Sequence, residues 1–207
     1  MDHAVFPRDV QTDHAEPADQ RNARRYSLLI RPAKLLSPQG EFVCILRAVS
    51  STGVSARLFD SLPACATYTL ELQSGQTYEM SRVWVREQEA GFEFTSQVDV
   101  DRLVSEASEF PKRGLRLALQ FPITVTAGVT RSMVVVENIS QQGARFECKD
   151  LLALDQNVRL EGGGLRETRA KVRWRRDTQY GVVFDDTLSL RDFALVAARL
   201  QASGLPD

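Results

Sequence analysis

The six residues Asn138-Ile139-Ser140-Gln141-Gln142-Gly143 read as a polar turn that follows the strand-like run Met133 to Val136. This turn has a counterpart 90 residues earlier in the numbering, where Ser50 and Gly53 stand in place of Ser140 and Gly143. The same offset relates three further pairs: Trp174 and Trp84, Gly181 and Gly91, Phe184 and Phe94. One constant offset over such a length indicates an internal repeat. The sequence therefore predicts two copies of one module.

Length and composition agree with two small domains. The chain has 207 residues, of which 43% are hydrophobic and 26% charged, as is usual for globular proteins. A repeat of this size is enough for a single small core per copy. The formal net charge is only -1, so bulk attraction to nucleic acid or to an acidic membrane surface is not expected. Any anion site must be local, and nucleic acid is an unlikely partner.

Histidine and cysteine usage argues against an enzyme or a metal centre. The two histidines, His3 and His14, both lie in the first 20 residues, so the predicted folded body lacks the usual proton carrier and ligand. The three cysteines have no CxxC spacing and do not occupy equivalent repeat positions; they are Cys44, Cys65 and Cys148. We expect buried free thiols, no catalytic residue, no metal ligand and no cofactor.

The chain divides into three expected parts. Residues 1–20 carry five acidic residues and two prolines with little periodic apolar content, which predicts a flexible acidic tail. We place the first barrel at 21–107 and the second at 108–203. The N-terminus lacks an apolar signal region, and the longest uncharged run, Leu117 to Thr130, is too short and polar to span a bilayer. We therefore expect a cytoplasmic protein with no membrane span.

Each module reads as about six short strands followed by one helix. Turn signals such as Ser37 to Gly40 separate the strand-like runs, and Val100, Leu103 and Ala107 fall at helical spacing after the last one. Closure into a barrel would remove the edges of such short antiparallel strands. We thus predict a mainly β protein with two tandem six-stranded antiparallel barrels, each followed by a short helix.

One strand in each copy raises a question about its outer face. The alternation from Arg169 to Arg175 predicts that Trp174 points inward with Ala170 and Val172, which leaves a basic outer face. At the equivalent outer positions the first copy has Val83 and Val85. We expect these valines to be covered by the other module or by a second chain, and both tryptophans to belong to the core.

Each module also carries a basic pair, four residues apart, before its first strand. In the first copy the pair is Arg21 and Arg25, which precedes Ser50 and Gly53. In the second copy it is Lys112 and Arg116, with Arg113 between them, and it precedes a turn that adds an amide acceptor to the serine and glycine: Asn138, Ser140 and Gly143.

These patterns resemble the PilZ domain family, which is marked by RxxxR followed by (D/N)xSxxG before a strand. The resemblance covers both halves and implies small barrels that bind cyclic di-GMP on their outer surface. It assigns ligand contacts to the second copy at Lys112, Arg113, Arg116, Asn138, Ser140 and Gly143. A second candidate site comprises Arg21, Arg25, Ser50 and Gly53.

The two copies depart from the family pattern in different ways. Ala48 stands where the motif has an acid or an amide, and an alanine side chain accepts no hydrogen bond. Lys112 replaces the first arginine of the second copy, which keeps the charge but loses the planar fork of donors. We therefore favour the second copy as the better site.

Two functions from different classes follow from this resemblance. The first is a non-enzymatic receptor for cyclic di-GMP that signals to an unknown protein partner. The second is a tandem-barrel adaptor that has lost nucleotide binding and acts through protein contacts.

Overall fold

The first barrel is closed and antiparallel. The computed structural model describes residues 25–105 and 114–202. The first repeat contains β1 (Tyr26–Ser37), β2 (Gly40–Val49), β3 (Gly53–Leu58), β4 (Tyr68–Glu71), β5 (Thr77–Arg86) and β6 (Glu89–Phe94), followed by helix α1 (Val100–Ser105). The strands close a ring in the order β1-β2-β3-β6-β5-β4.

The second barrel repeats this arrangement. Its elements are β7 (Arg116–Leu117), β8 (Phe121–Ala127), β9 (Thr130–Ser140), β10 (Gly143–Glu147), β11 (Asn157–Gly162), β12 (Leu165–Arg176) and β13 (Gln179–Phe184), followed by α2 (Leu190–Ala202). The ring runs β8-β9-β10-β13-β12-β11 and closes through the pairing of β11 with β8, while β7 adds to β9. The predicted fold of two closed six-stranded barrels, each followed by a short helix, is confirmed.

The second barrel begins with two strands where the first barrel begins with one. These two strands are β7 and β8, whereas β1 is one continuous strand with an irregular register between Ser27 and Arg31. The division has a visible cause, because the backbone N–H of Ala118 donates to Glu41 Oε2 of the first barrel at 3.0 Å. Because the Ala118 N–H bonds to the first barrel, it is not available for a hydrogen bond to a neighbouring strand of the second barrel.

Each barrel encloses its own apolar core. Tyr68, Leu46 and Met80 are fully buried in the first core, and Phe146, Tyr180 and Ile139 in the second. Helix α2 closes the second core with Phe193, Val196 and Ala197. Ser189 caps this helix, because its Oγ accepts from the backbone N–H of Asp192 at 3.1 Å.

The shorter helix α1 is held by a basic residue. Arg31 donates through Nη1 to the carbonyl oxygen of Leu103 at 2.8 Å, and through Nη2 to that of Val104. The last carbonyls of a helix lack partners within the helix, so a cation there both satisfies them and opposes the helix dipole. Arg31 thus fixes the helix that covers the first core.

The two barrels contact each other through α2 and β2. Val43 on the outer face of β2 is only 4% exposed and belongs to the apolar cluster of the second barrel. Ala194 and Ala198 of α2 lie beside Val43 and Phe59. The side-chain amide of Gln201 accepts from the backbone N–H of Glu41 at 2.6 Å and donates to its carbonyl oxygen at 2.9 Å.

The expected cover over Val83 and Val85 is not provided by the second barrel. Both valines are exposed on β5, and the barrel contact uses Val43 on β2 instead. The prediction of packing between the modules at this face is therefore wrong. The sequence did not predict the contact of α2 with β2, because Ala194 and Ala198 lie on the same helix as the apolar residues that face the second core.

The cysteines are not all buried as predicted. Cys44 and Cys148 lie inside the two cores, but Cys65 is half-buried and its Sγ lies 3.2 Å from the carbonyl oxygen of Thr67. Burial raises the pKa of Cys44 to about 12. None of the helices that the structure describes is long and apolar enough to cross a membrane.

Candidate functional site

Four residues form a row across the outer surface of the second barrel. Asn138 on β9 pairs with Arg145 on β10, and Arg145 pairs with Gly181 on β13. Gly181 in turn pairs with Trp174 on β12. Since neighbouring strands lie about 4.8 Å apart, the row extends about 14 Å. It places an amide, a guanidinium and an indole on one surface.

Two β-bulges create this row. The β9–β10 register shifts between Arg145 and Phe146, and the β12–β13 register shifts between Val172 and Trp174. A bulge adds one residue to a strand and so reverses its inward and outward alternation. Trp174 is consequently 43% exposed, and its equivalent Trp84 is 38% exposed. The prediction that the tryptophans belong to the core is wrong.

The indole of Trp174 lies against the backbone of Gly181. A Cβ atom at Gly181 would lie 2.0 Å from Trp174 Nε1, and one at Gly91 would lie 2.0 Å from Trp84 Nε1. Glycine is therefore required wherever the indole crosses the neighbouring strand. The repeated tryptophan and glycine pairs were the sequence signal for this surface feature, which the predicted site omitted.

The Ser-x-x-Gly turn is held by its own serine. Ser140 Oγ donates to the carbonyl oxygen of Gly143 at 3.2 Å and accepts from the backbone N–H of Gln142 at 3.3 Å. A Cβ on Gly143 would lie 2.1 Å from the carbonyl oxygen of Val182. The spacing thus has a structural cause besides any ligand contact, because the hydroxyl closes the turn and the glycine admits the adjacent strand.

The first barrel builds its turn in the same way. Ser50 Oγ donates to the carbonyl oxygen of Gly53 at 3.3 Å, and a Cβ on Gly53 would lie 2.5 Å from the carbonyl oxygen of Phe92. Ser50 is buried, whereas Ser140 is half-buried. The hydroxyl of the second copy is therefore the more accessible of the two.

The second basic residue of each copy lies beside this turn. Arg116 on β7 pairs with Ser140. In the first barrel Tyr26 pairs with Val49, and continuing that register by one residue brings Arg25 opposite Ser50. Arg25 and Arg116 are 91 positions apart although the serines are 90 apart. A register difference of one residue compensates, so both arginines reach equivalent places.

The residues of the row and the turn line a groove in each barrel. The second groove has a volume of about 290 Å³, and its charged lining residues are all arginines: Arg116, Arg145 and Arg173. Arg145 Nε lies 2.7 Å from Glu137 Oε2, and Arg173 Nη1 lies 3.2 Å from Asp155 Oδ1. The Arg173 pair is exposed, so its guanidinium can exchange partners at little cost. The Arg145 pair is more enclosed, because its Nε is buried and the Glu137 side chain is only 23% exposed.

The first groove has nearly the same volume, about 280 Å³, but a different lining. Arg25 and Glu93 are its charged members, so their charges cancel. Ala48, Ser55 and Val83 stand where the second barrel has Asn138, Arg145 and Arg173. The two grooves therefore share a shape and differ in charge and hydrogen-bonding capacity.

The structure brings together four of the predicted residues in the second groove: Arg116, Asn138, Ser140 and Gly143. In the first groove it brings together Arg25, Ser50 and Gly53. Arg21, Lys112 and Arg113 lie outside the described residues, so their predicted contacts stay predictions. Arg145, Arg173 and Trp174 are lining residues that the sequence-based site did not include.

Comparison with known proteins identifies the second barrel. The family model described as the PilZ domain matches residues 111–202. This stretch contains the second barrel with its groove and its closing helix, so the second half of the chain matches the PilZ domain. The first barrel has the same strand order and the same turn. No curated protein is significantly similar in sequence.

Solved structures of other proteins align with most of the chain at low similarity. PlzA of Borreliella burgdorferi, in complex with c-di-GMP, is 10% identical, with 83% of this chain and 87% of that chain covered and a TM-score of 0.33. The Bacillus subtilis inhibitor of motility is 13% identical, with coverages of 85% and 98% and a TM-score of 0.35. YcgR of Escherichia coli, in complex with c-di-GMP, is 15% identical, with coverages of 84% and 82% and a TM-score of 0.30. TM-scores of this size do not by themselves establish a shared fold.

Proposed function

We propose that the second barrel is a non-enzymatic receptor for cyclic di-GMP, bound in the groove that Arg116, Asn138 and Trp174 line. The match of residues 111–202 to the PilZ domain supports this ligand class. The observation that carries the proposal is the position of Arg116 directly opposite Ser140, beside a groove whose charged lining residues are all arginines.

The groove residues suit the chemical groups of a guanine dinucleotide. A guanidinium presents a planar fork of donors that matches a phosphate or the O6 and N7 acceptors of guanine. The side-chain oxygen of Asn138 can accept from the guanine N1–H or the exocyclic amine. The exposed indole of Trp174 offers an aromatic surface at the far end of the row. Each of these groups has a complementary partner on the ligand.

The first groove is the weaker candidate for the same ligand. Its lining charges cancel, and Ala48 offers no acceptor. One missing hydrogen bond to a buried polar edge costs about 1–3 kcal/mol, or roughly 5- to 150-fold in affinity. We therefore expect one high-affinity site per chain, on the second barrel.

Ligand binding would also act on the contact between the barrels. Ala118 follows Arg116 by two residues, and its N–H donates to Glu41 of the first barrel. Movement of the basic segment toward a ligand would disturb this hydrogen bond. A change in barrel placement requires that its two arrangements bind the ligand with different affinities.

Isothermal titration calorimetry of the full-length protein with cyclic di-GMP tests the receptor proposal. We expect saturable heat with about one ligand unit, a monomer or an intercalated dimer, per chain. An absence of heat at ligand concentrations of about 50 μM, together with an absence of competition against a labelled dinucleotide, would remove the receptor function. GMP at the same concentration is the matched control.

The adaptor function remains the second candidate, because two observations on the first barrel favour it. Ala48 removes an acceptor from its groove, and Val83 and Val85 are exposed beside it. An adaptor of this kind would bind its protein partner equally well with and without the dinucleotide. Calorimetry that shows no ligand binding, from a correctly folded chain, would favour this function over the receptor.

A further inference from the structure

The outer face of β9 is the counterpart of the β2 face that α2 covers. Thr126 pairs with Arg131 on β9 just as Leu36 pairs with Glu41 on β2, so Met133 occupies the position of Val43. Val43 is 4% exposed beneath α2, whereas Met133 is 83% exposed. In the first barrel a helix therefore covers this face, whereas in the second barrel the equivalent face is exposed.

The open face carries further apolar surface. Val135 is 49% exposed on the same side of β9. Lys149 is the counterpart of Phe59, which lies beside α2 in the first barrel. We call the surface of Arg131, Met133, Val135 and Lys149 the β9 face. Apolar groups gathered on one side of a barrel are typical of an interaction surface.

Backbone groups at this face are also available to a partner. Ala127 pairs with Thr130 across the two-residue turn between β8 and β9. In the next pair, Thr126 and Arg131, the backbone N–H and C=O of Arg131 therefore point away from β8. On the other side the β10 ladder begins only at Val135. At the equivalent place in the first barrel, the amide of Gln201 bonds both the N–H and the C=O of Glu41. The β9 face thus has an open donor and acceptor where the β2 face is bonded by an amide.

From this equivalence we propose that the β9 face binds an amphipathic helix of a partner protein. The helix presents small side chains at positions i and i+4 and an amide at i+7, as α2 does with Ala194, Ala198 and Gln201. Small side chains allow the helix to approach the strand closely, and the amide bonds the backbone of Arg131. This surface is separate from the groove and does not depend on the proposed dinucleotide binding.

The charges of the β9 face distinguish its helix from α2. Arg131 stands where the first barrel has Glu41, and Lys149 stands where it has Phe59. Arg131 already pairs with Glu161 at 3.3 Å, so Lys149 is the cation that favours a helix with a carboxylate near its small residues.

In residues 25–105 and 114–202 both helices are already engaged, α1 through Arg31 on its own barrel and α2 through Gln201 on the first barrel. A second copy of the chain would have to release one of them, so we assign the helix to another protein.

A peptide with the α2 pattern serves as the probe. It comprises residues 188–202 with Arg191→Glu, which places a carboxylate one turn before Ala194, at the end that meets Lys149 on the β9 face. Fluorescence anisotropy with the full-length protein should show binding at about 10–500 μM. In a ¹⁵N-labelled protein, the amide signal of Arg131 should shift on binding. The same peptide with Gln201→Ala should bind at least about tenfold more weakly.

Met133→Glu should reduce binding of the probe at least about tenfold, because an unpaired carboxylate would be buried under the helix. Val83→Glu on the first barrel is the matched control and should leave binding unchanged. An absence of binding at about 1 mM peptide, equal binding by Met133→Glu, or equal loss in Val83→Glu would overturn the proposal. Sedimentation that shows a dimer lost in Met133→Glu would also overturn it, since the occupant would then be a second copy.

Discussion

Asn138 and Ala48 occupy equivalent places in two grooves of nearly equal volume, and this difference contributes to their different expected affinities. Asn138 lies in the row with Arg145, while Ala48 lies opposite Ser55. We expect Asn138→Ala and Arg116→Ala each to weaken cyclic di-GMP binding about 10- to 100-fold, since each removes a hydrogen bond to a polar or charged ligand group. Calorimetry on the purified variants measures the effect.

Two arginine variants are the controls for this prediction. Arg25→Ala should change the affinity less than about threefold, because its groove lacks the acceptor and the additional arginines. Arg166→Ala lies outside both grooves and should leave the affinity unchanged. A larger loss in Arg25→Ala than in Arg116→Ala would move the ligand to the first barrel.

The thiols provide a second test at the level of single residues. Burial raises the pKa of Cys44 to about 12, so its thiol stays protonated and inaccessible at neutral pH. We expect Ellman's reagent to modify Cys65 alone in the native protein and all three cysteines after denaturation. Rapid native labelling of two or three thiols would contradict the burial of Cys44 and Cys148.

The same pKa gives a direction for the dependence of stability on pH. The folded pKa of Cys44 lies above that of an unfolded cysteine, about 8.5. Stability from this group is therefore fully present below about pH 8.5 and is lost as the pH rises toward 12. Chemical denaturation of wild type and Cys44→Ala between pH 7 and 10 should show a steeper loss in wild type.

Sequence reasoning identified the residues that act through their chemical type and missed those that act through their position. Arg116, Asn138 and Ser140 belong to a recognisable motif, and the structure places all three at one groove. Strict alternation along the strand predicts that Trp174 points into the core. Only the bulge between Val172 and Trp174 brings it to the surface. A bulge has no residue type of its own, so the pattern did not reveal it.

Among the strands, the turn glycine is the feature most open to test. A Cβ on Gly143 would lie 2.1 Å from the carbonyl oxygen of Val182, which is backbone and cannot move aside alone. We expect Gly143→Ala to lower the free energy of unfolding by about 2–3 kcal/mol, as overpacking does. Urea denaturation followed by circular dichroism measures it.

Gly114→Ala is the control for this substitution. No heavy atom of residues 25–105 and 114–202 lies within 4 Å of a Cβ at Gly114, and its φ is not in the left-handed region. We expect its free energy of unfolding to stay within about 0.5 kcal/mol of wild type. If both variants unfold like wild type, the close approach of β13 to the turn is not a constraint on the fold.

Strand existence was predictable because alternating apolar residues and turn signals occur in every strand of the repeat. The break between β7 and β8 was not, since nothing in Ala118 differs from an ordinary strand residue. Its cause is Glu41, which accepts the Ala118 N–H from the other barrel. A local pattern cannot report a contact between residues 77 positions apart.

Across the whole molecule, the contact of α2 with β2 should make the two barrels unfold together. Ala198→Arg would place a charged side chain between α2 and the apolar residues Val43 and Phe59. We expect differential scanning calorimetry to show one transition in wild type and two in this variant. Arg191→Ala, at the exposed start of α2, should keep the single transition. A single transition in Ala198→Arg would mean that the barrels are not coupled through this helix.

The number of domains followed from the repeat, but their mutual arrangement did not. Both barrels contain an equivalent outer face, at Val43 and at Met133, and the sequence does not say which one a helix covers. The sequence also did not predict that the charge of Lys34 is buried. Its Nζ lies 2.9 Å from Glu71 Oε1 and 3.6 Å from Glu41 Oε2, so one charged cluster belongs both to the first barrel and to the contact between the barrels.

The one-residue difference in register between the copies has a consequence for protein engineering. Exchanging the leading segments of the halves by their common 90-residue numbering would put Tyr26 where Arg116 belongs. A working graft must instead transfer the cation together with the strand that carries it, or delete one residue at the junction. Alignments of the two halves face the same hazard, because an ungapped superposition equates Tyr26 with the groove-lining Arg116.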